Sequence, residues 1–244
     1  AGSLNKAGDI ELSLTGIKKA SQLQLVICLN NSNYCNEYPV WVYPQQEALA
    51  AKPNEIITDK LDEEIFLKLE TGARILYFAG TDSIKGKTID GLFPPEFWNW
   101  GMFKSISESN QRKVSPGTLS ILTNPAHPLF NYFPTASHTN WQWFGIIKSS
   151  RPLILDELKG SYQPIVQVID NLERNHKLGL VMEFAVGKGK LLVCMSDREK
   201  LETTLECAQF IQALHRYLRS DKMNPTYKTD RRKMLNLFSP SRME

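Results

Sequence analysis

The sequence predicts an α/β chain, with a small antiparallel β piece followed by a three-layer α/β domain. Three observations carry this expectation. The first 43 residues alternate like half-buried strands, with no helical segment between them. After Pro44 a strand, a helical pattern and a second strand follow in β-α-β order. Two apolar runs, "LGLVMEFAV" and "KLLVC", then precede a helical period that extends from Glu199 to Leu218.

The elements follow in chain order. In "DIELSL" the residues Ile10, Leu12 and Leu14 share one face, "LQLVICL" is an apolar run, and "YPVWVYP" is rich in β-formers. Three such strands cannot leave both faces in water. They are expected to pack on the α/β domain or to pair with a second copy through an open edge. "NEIIT" reads as a short strand, "DKLDEEIFLKLETG" as a helix capped by Thr58 or Asp59 and ended at Gly72, and "ARILYFAG" as a buried strand. This order implies parallel pairing. Residues 80–135 read as irregular apart from the strand "GTLSILT". "RPLILD" and "PIVQVID" are further strands, and "LGLVMEFAV-GKG-KLLVCMS" is a hairpin. One helix face is expected to carry Leu201, Leu205, Ala208, Ile211 and Leu214. The expected domains are 1–43 for the β piece, 44–220 for the α/β domain and 221–244 for a basic, extended tail. Leu235, Leu237 and Phe238 would anchor that tail.

Composition narrows the functional classes. With 244 residues and 42% apolar content the chain affords a sizeable core. Its net charge of +3 gives no reason to expect nucleic acid or an anionic membrane as partner. No run of about 18 apolar residues exists to span a bilayer. The opening residues lack the apolar run of a signal peptide, and the start at Ala1-Gly2-Ser3 points to a processed or excised chain. The four cysteines, Cys28, Cys35, Cys194 and Cys207, form no Cys-x-x-Cys pair and the four histidines are scattered. No zinc site, other metal or cofactor is therefore expected. Cys194 and Cys207 read as small buried hydrophobes. Cys28 and Cys35 flank "LNNSNY" and meet across a hairpin if the compartment oxidises. Gly187-Lys188-Gly189 lacks the Gly-Lys-Ser/Thr and the following helix of a phosphate loop.

The stretches "NEYPVWVYP", "FPPEFWNWGMFK", "HPLFNYFPTASHTNWQW", "PIVQVIDNLERNHKLGLVMEFAVGKGKLLVC" and "YLRSDKMNP" follow one another between Asp9 and Pro225. In this order they resemble the C-terminal region of bacterial glycoside hydrolase family 2 proteins, the β-galactosidase-like enzymes of Bacteroides-type bacteria. The resemblance implies a catalytic glutamate pair on an upstream barrel, outside this chain. It implies that residues 1–43 are closing strands of the β-sandwich after that barrel. The remainder would be a flavodoxin-like domain, similar to class I glutamine amidotransferases. The implied role is a non-catalytic accessory domain in carbohydrate metabolism, periplasmic or secreted, with the barrel and sandwich as partners. The alternatives are an independent carbohydrate-binding module and a structural or homo-oligomerising domain.

The residues themselves offer little catalytic chemistry. Glycoside hydrolysis needs two opposed carboxyl groups, and neither Asn36-Glu37 nor Asn54-Glu55 follows a barrel strand. No catalytic residue is assigned, and the chain alone is expected to be inactive. A cysteine nucleophile needs a tight strand-to-helix turn, and no Gly-x-Cys-x-Gly exists. In "DNLERNHK" Asp170 would end a parallel strand, where α/β sheets place ligands, with Glu173, Arg174 and His176 nearby. The alternative there is a polar loop tied by an Asp-Arg pair. In "SHTNWQWFGI" Trp141 and Trp143, like Trp98 and Trp100, are two apart, either packing wedges or a shelf for sugar rings. If a ligand site exists, a carbohydrate is expected to meet His138, Asn140, Trp141, Asp170 and Arg174.

Overall fold

Alternation of side chains is what the first unit makes visible. The computed structural model describes all residues except 1, 4, 7, 46–48, 51, 80–83, 85, 95–99, 159–161, 202–203 and 239–244. It divides into two compact units, residues 1–45 and 46–244. In the first, strand β1 (Ser21–Cys28) pairs antiparallel with β2 (Cys35–Val42), and Leu23 faces Val40, Leu25 faces Tyr38 and Val26 faces Glu37. Opposed residues share a face, so Leu23, Leu25, Ile27, Tyr38 and Val40 lie on one side, and Gln22, Gln24 and Glu37 lie on the other together with Val26, Pro39 and Trp41. On that mixed side Gln24 Nε2 donates to Glu37 (2.9 Å). A disulfide joins Cys28 to Cys35 where the hairpin turns. The expected third strand, "DIELSL", has no regular secondary structure, and Ile10, Leu12 and Leu14 are exposed. Alternation alone makes no strand where no neighbour supplies a hydrogen-bonded ladder.

The second unit is built on a mixed sheet with helices on both faces. Strand β3 (Glu55–Thr58), helix α1 (Glu63–Glu70) and strand β4 (Arg74–Phe78) form the expected unit, with β3 and β4 parallel. Asp62 caps α1, its carboxylate accepting from Ile65 N (3.1 Å). Thr58 and Asp59 do not cap it, because Thr58 ends β3 and its hydroxyl accepts from Lys60 N (3.0 Å). Gly72, at φ +107°, takes the left-handed conformation just after the helix. Next come helix α2 (Trp100–Ser109), strand β5 (Ser120–Thr123), 3₁₀ turns at Pro128–Asn131 and Trp141–Trp143, and helix α3 (Phe144–Lys148). Strands β6 (Leu153–Ile154), β7 (Val166–Ile169), β8 (Lys177–Val186) and β9 (Gly189–Cys194) follow. Helix α4 (Arg198–Leu201), helix α5 (Leu205–Arg219), strand β10 (Lys228–Thr229) and helix α6 (Arg231–Phe238) close the chain.

The order across the sheet is β3-β4-β9-β8-β7-β5, with β6 and β10 both pairing β8. β3, β4 and β9 run parallel, whereas β8 is antiparallel to β9 and β7 is antiparallel to both β8 and β5. Asp170 therefore does not end a parallel-paired strand. The loop from β7 to β8 is too short for a crossover and forces a reversal. The β8–β9 hairpin turns at Gly187-Lys188, with Gly187 at φ +58°.

One face of the sheet carries Ile75, Tyr77, Phe184, Leu191 and Val193 against Ile65, Phe66 and Leu69 of α1 and Met234, Leu237 and Phe238 of α6. Residues 221–238 are thus part of the domain and not an extended tail. "RRKMLNLF" places its apolar side chains at helical spacing, turning Met234, Leu237 and Phe238 inward, while Leu235 stays at the surface. The alternate residues of β4 and β9 turn to the face of α5. The expected single helix from Glu199 is two, α4 and α5, because Thr204 starts the second, accepting from Cys207 N (3.4 Å). Leu201, Ile211 and Leu214 are buried as expected, joined by Cys207, Phe210 and Tyr217, while Ala208 is half-buried and Leu205 is exposed. Helix α2 lies in a region expected to be irregular. None of its residues is buried, although Trp100, Phe103 and Ile106 recur at helical spacing.

Gly189 gives the fold a sharp test. A Cβ there would lie 2.5 Å from Leu69 O and 2.6 Å from Ala73 O, both backbone atoms that cannot swing away. Gly189→Ala is expected to destabilise the unit by about 1–3 kcal/mol or more. Urea unfolding measures this, and an unchanged midpoint would contradict the packing of α1 on β9.

Candidate functional site

The loop after β7 is organised by one carboxylate. The Asp170 side chain is 1% exposed and pairs with Arg174 Nη2 (2.5 Å). It also accepts from Arg174 Nε (3.2 Å), Asn171 N (2.9 Å) and His176 N (3.1 Å). Arg174 in turn donates to Pro116 O (2.5 Å) and lies over the Trp100 ring, 5.1 Å from its centroid. Asn171 Oδ1 accepts from Glu173 N and Arg174 N, which closes the turn. His176 Nδ1 bonds Asp156 (2.6 Å). Asp170 and Arg174 are a clamp between the β7–β8 loop, the segment before β5 and α2. The Asp170 carboxylate is committed to Arg174 and backbone N–H groups, and Arg174 Nε and Nη2 are committed to Asp170 and the Pro116 carbonyl.

The aromatic stretch divides in two. Residues Trp141–Trp143 form a 3₁₀ turn, in which side chains two apart point about 120° from each other. The shared face expected of a strand is therefore absent. Trp143 is fully buried, ringed by Phe133 (5.3 Å), Phe210 (5.5 Å) and Phe130 (6.5 Å), and its indole donates to Thr135 Oγ1 (2.8 Å). Trp141 is 73% exposed and rests on Phe93 (5.3 Å) and Phe144 (6.3 Å). Asn140 precedes the turn, and both polar atoms of its amide are buried with no hydrogen-bond partner among the described residues. His138 is exposed and forms an isolated bridge with Leu122 of β5. Of the five predicted ligand residues, Trp141 rests on Phe93 and Phe144, Asp170 and Arg174 join Trp100 and Pro116, His138 bridges to Leu122, and the Asn140 amide is buried. Trp98, the other half of the second tryptophan pair, lies outside the described residues.

The free thiols are core residues. Burial pushes the Cys194 thiol up to about 12, and Cys207 is raised by the same cause. Glu183 of β8 is raised by burial and accepts the Tyr217 hydroxyl (2.7 Å), a satisfied pair between sheet and helix.

A cleft that sequence reasoning did not anticipate lies between the edge strand β3 and α5. It has a volume of about 400 Å³ and is lined by residues including Lys52, Glu55, Ile57, Gln212, His215 and Arg219. Arg219 Nε pairs with Glu55 (2.6 Å), both side chains nearly buried, and Arg219 Nη2 donates to Ala50 O (2.7 Å). Arg74 donates to the carbonyls of Leu218 and Ser220, fixing the end of α5. The imidazole of His215 is pushed down to about 4 by burial and by the nearby Arg198 and Arg219. The one signal in the sequence is the polar stripe Gln212, His215, Arg219 on α5. Its partner Glu55 is too distant along the chain to be read.

Fold and site together define a mixed α/β domain, preceded by a disulfide-closed hairpin. The family described as a domain of unknown function, DUF8487, matches residues 56–239, about three quarters of the chain, and the chain belongs to that family. A second domain of unknown function, DUF8488, matches residues 1–44, the hairpin unit. No curated protein matches the chain.

Proposed function

We propose that this chain is a non-catalytic accessory region of a glycoside hydrolase family 2-like protein. Its second unit would be a flavodoxin-like domain, similar to class I glutamine amidotransferases, and its first the closing strands of a β-sandwich. The observation that carries this reading is the exposed apolar surface of the hairpin. Ile27, Tyr38 and Val40 stand exposed on one face, and on the other exposed Val26 lies with Pro39 and Trp41 among Gln22, Gln24 and Glu37. A two-stranded ribbon of this kind is marginal alone, and its apolar face suits it to cover the sheet of a sandwich. The partners would be that sandwich and the barrel before it. The disulfide supports a periplasmic or secreted location. The burial of both free thiols and the Asp170–Arg174 clamp support a role other than catalysis.

A second reading, glycan binding by the chain itself, is favoured by exposed Trp141, tilted on Phe93. Assay of the pure chain with nitrophenyl galactoside and glucuronide tests the first reading, and the expected outcome is no hydrolysis above the blank. Turnover lost on a change at Glu37, Glu55, Asp170 or Glu173 would overturn it. Saturable binding of galactosides, lost in Trp141→Ala with the fold intact, would establish the second.

A further inference from the structure

The cleft between β3 and α5 has the make-up of a ligand site, and its character is independent of the reading above. Glu55 and Ile57, two apart on β3, form one wall, and Gln212, His215, Leu218 and Arg219 of α5 form the other. Leu49, Ile57 and Leu218 supply apolar surface. Among the described lining residues, Lys52 and Arg219 carry positive charge and Glu55 is the one carboxylate. Arg198 of α4 acts on His215 from beside the cleft. Arg219 is held by Glu55 and by the Ala50 carbonyl, so its guanidinium is fixed before any ligand arrives. His215 Nε2 is buried and has no hydrogen-bond partner among the described residues. A buried imidazole nitrogen left without a partner costs free energy, which an incoming polar group would recover.

We propose that this cleft binds a small organic anion. Its carboxylate or phosphate oxygens would be held by Arg219, Lys52 and His215, and its carbon skeleton would rest on Leu49, Ile57 and Leu218. Excess cationic charge disfavours a cationic ligand. A neutral ligand would satisfy Nε2 but leave the charge unbalanced. An anion does both, and its charge opposes the combined effect of burial and of Arg198 and Arg219 that keeps the ring neutral. The volume of about 400 Å³ suits a monosaccharide-sized acid and is too small for a polymer.

The test follows the His215 imidazole by proton NMR across acid pH in the full chain. Inorganic phosphate and glucuronate serve as the anionic probes, with glucose as the uncharged control. Both anions are expected to give saturable shifts at His215 and to raise its pKa by about one unit or more, the effect of one nearby opposite charge. Glucose is expected to do neither. Lys52→Ala, a change at an exposed position, is expected to weaken anion binding about two- to fivefold while leaving the fold intact. Shifts that grow linearly and equally at His138, His176 and His215 would show ionic strength alone and overturn the proposal. A silent His215, a response to glucose equal to that to glucuronate, or an affinity unchanged by Lys52→Ala would overturn it as well.

Discussion

Trp143→Ala is expected to lower the stability of the α/β unit by about 3–5 kcal/mol, the range for truncating a buried aromatic. Trp141→Ala, two residues away, is expected to change it by less than about 0.5 kcal/mol. The contrast follows from the 3₁₀ turn, which buries one indole among Phe130, Phe133 and Phe210 and leaves the other on the surface. Removing Trp143 opens a cavity beneath α5 and leaves the Thr135 hydroxyl without its indole donor. Urea denaturation followed by far-ultraviolet circular dichroism measures both variants. Equal losses would contradict the division of roles between the two indoles.

Asp170→Ala is expected to cost about 3–5 kcal/mol, because it leaves a partly buried guanidinium without its carboxylate. The backbone N–H groups of Asn171 and His176 lose their acceptor in the same step. Arg174→Met is expected to cost less than Asp170→Ala, since Asp170 retains those two backbone donors. The double variant is expected to lose less than the sum of the single losses, as partners in one network do. Thermal unfolding of the three variants measures this. Additive losses would show that the pair is not a clamp, and a near-neutral Asp170→Ala would return Asp170 to the list of ligand groups.

Much of the second unit was legible in the sequence because its signals are local. "NEIIT", "ARILYFAG" and the glycine-turned hairpin carry their own periodicity and turn residues, and each became the expected strand. What was not legible depends on partners distant in sequence. Helix α2 is at most half-buried, and its Trp100 meets Arg174, a partner far along the chain. The basic surface of "RRKMLNLF" hides an apolar spacing that acquires meaning only against Tyr77 and Phe184. β7 looks like any buried strand, and only the shortness of the following loop reveals its antiparallel pairing. The site divides similarly. The Asp170–Arg174 pair could be read from its four-residue spacing, but the split of Trp141 from Trp143 needed the turn geometry. The Glu55–Arg219 cleft needed the sheet order.

The central claim is that this chain serves a larger glycan-processing protein. Its most direct test is the full reading frame around residue 1, determined together with the mass of the polypeptide in the native cell. The account predicts a catalytic barrel and a β-sandwich encoded directly upstream, in one secreted or periplasmic polypeptide. A frame that opens near residue 1, or one whose upstream sequence encodes neither domain, would contradict it.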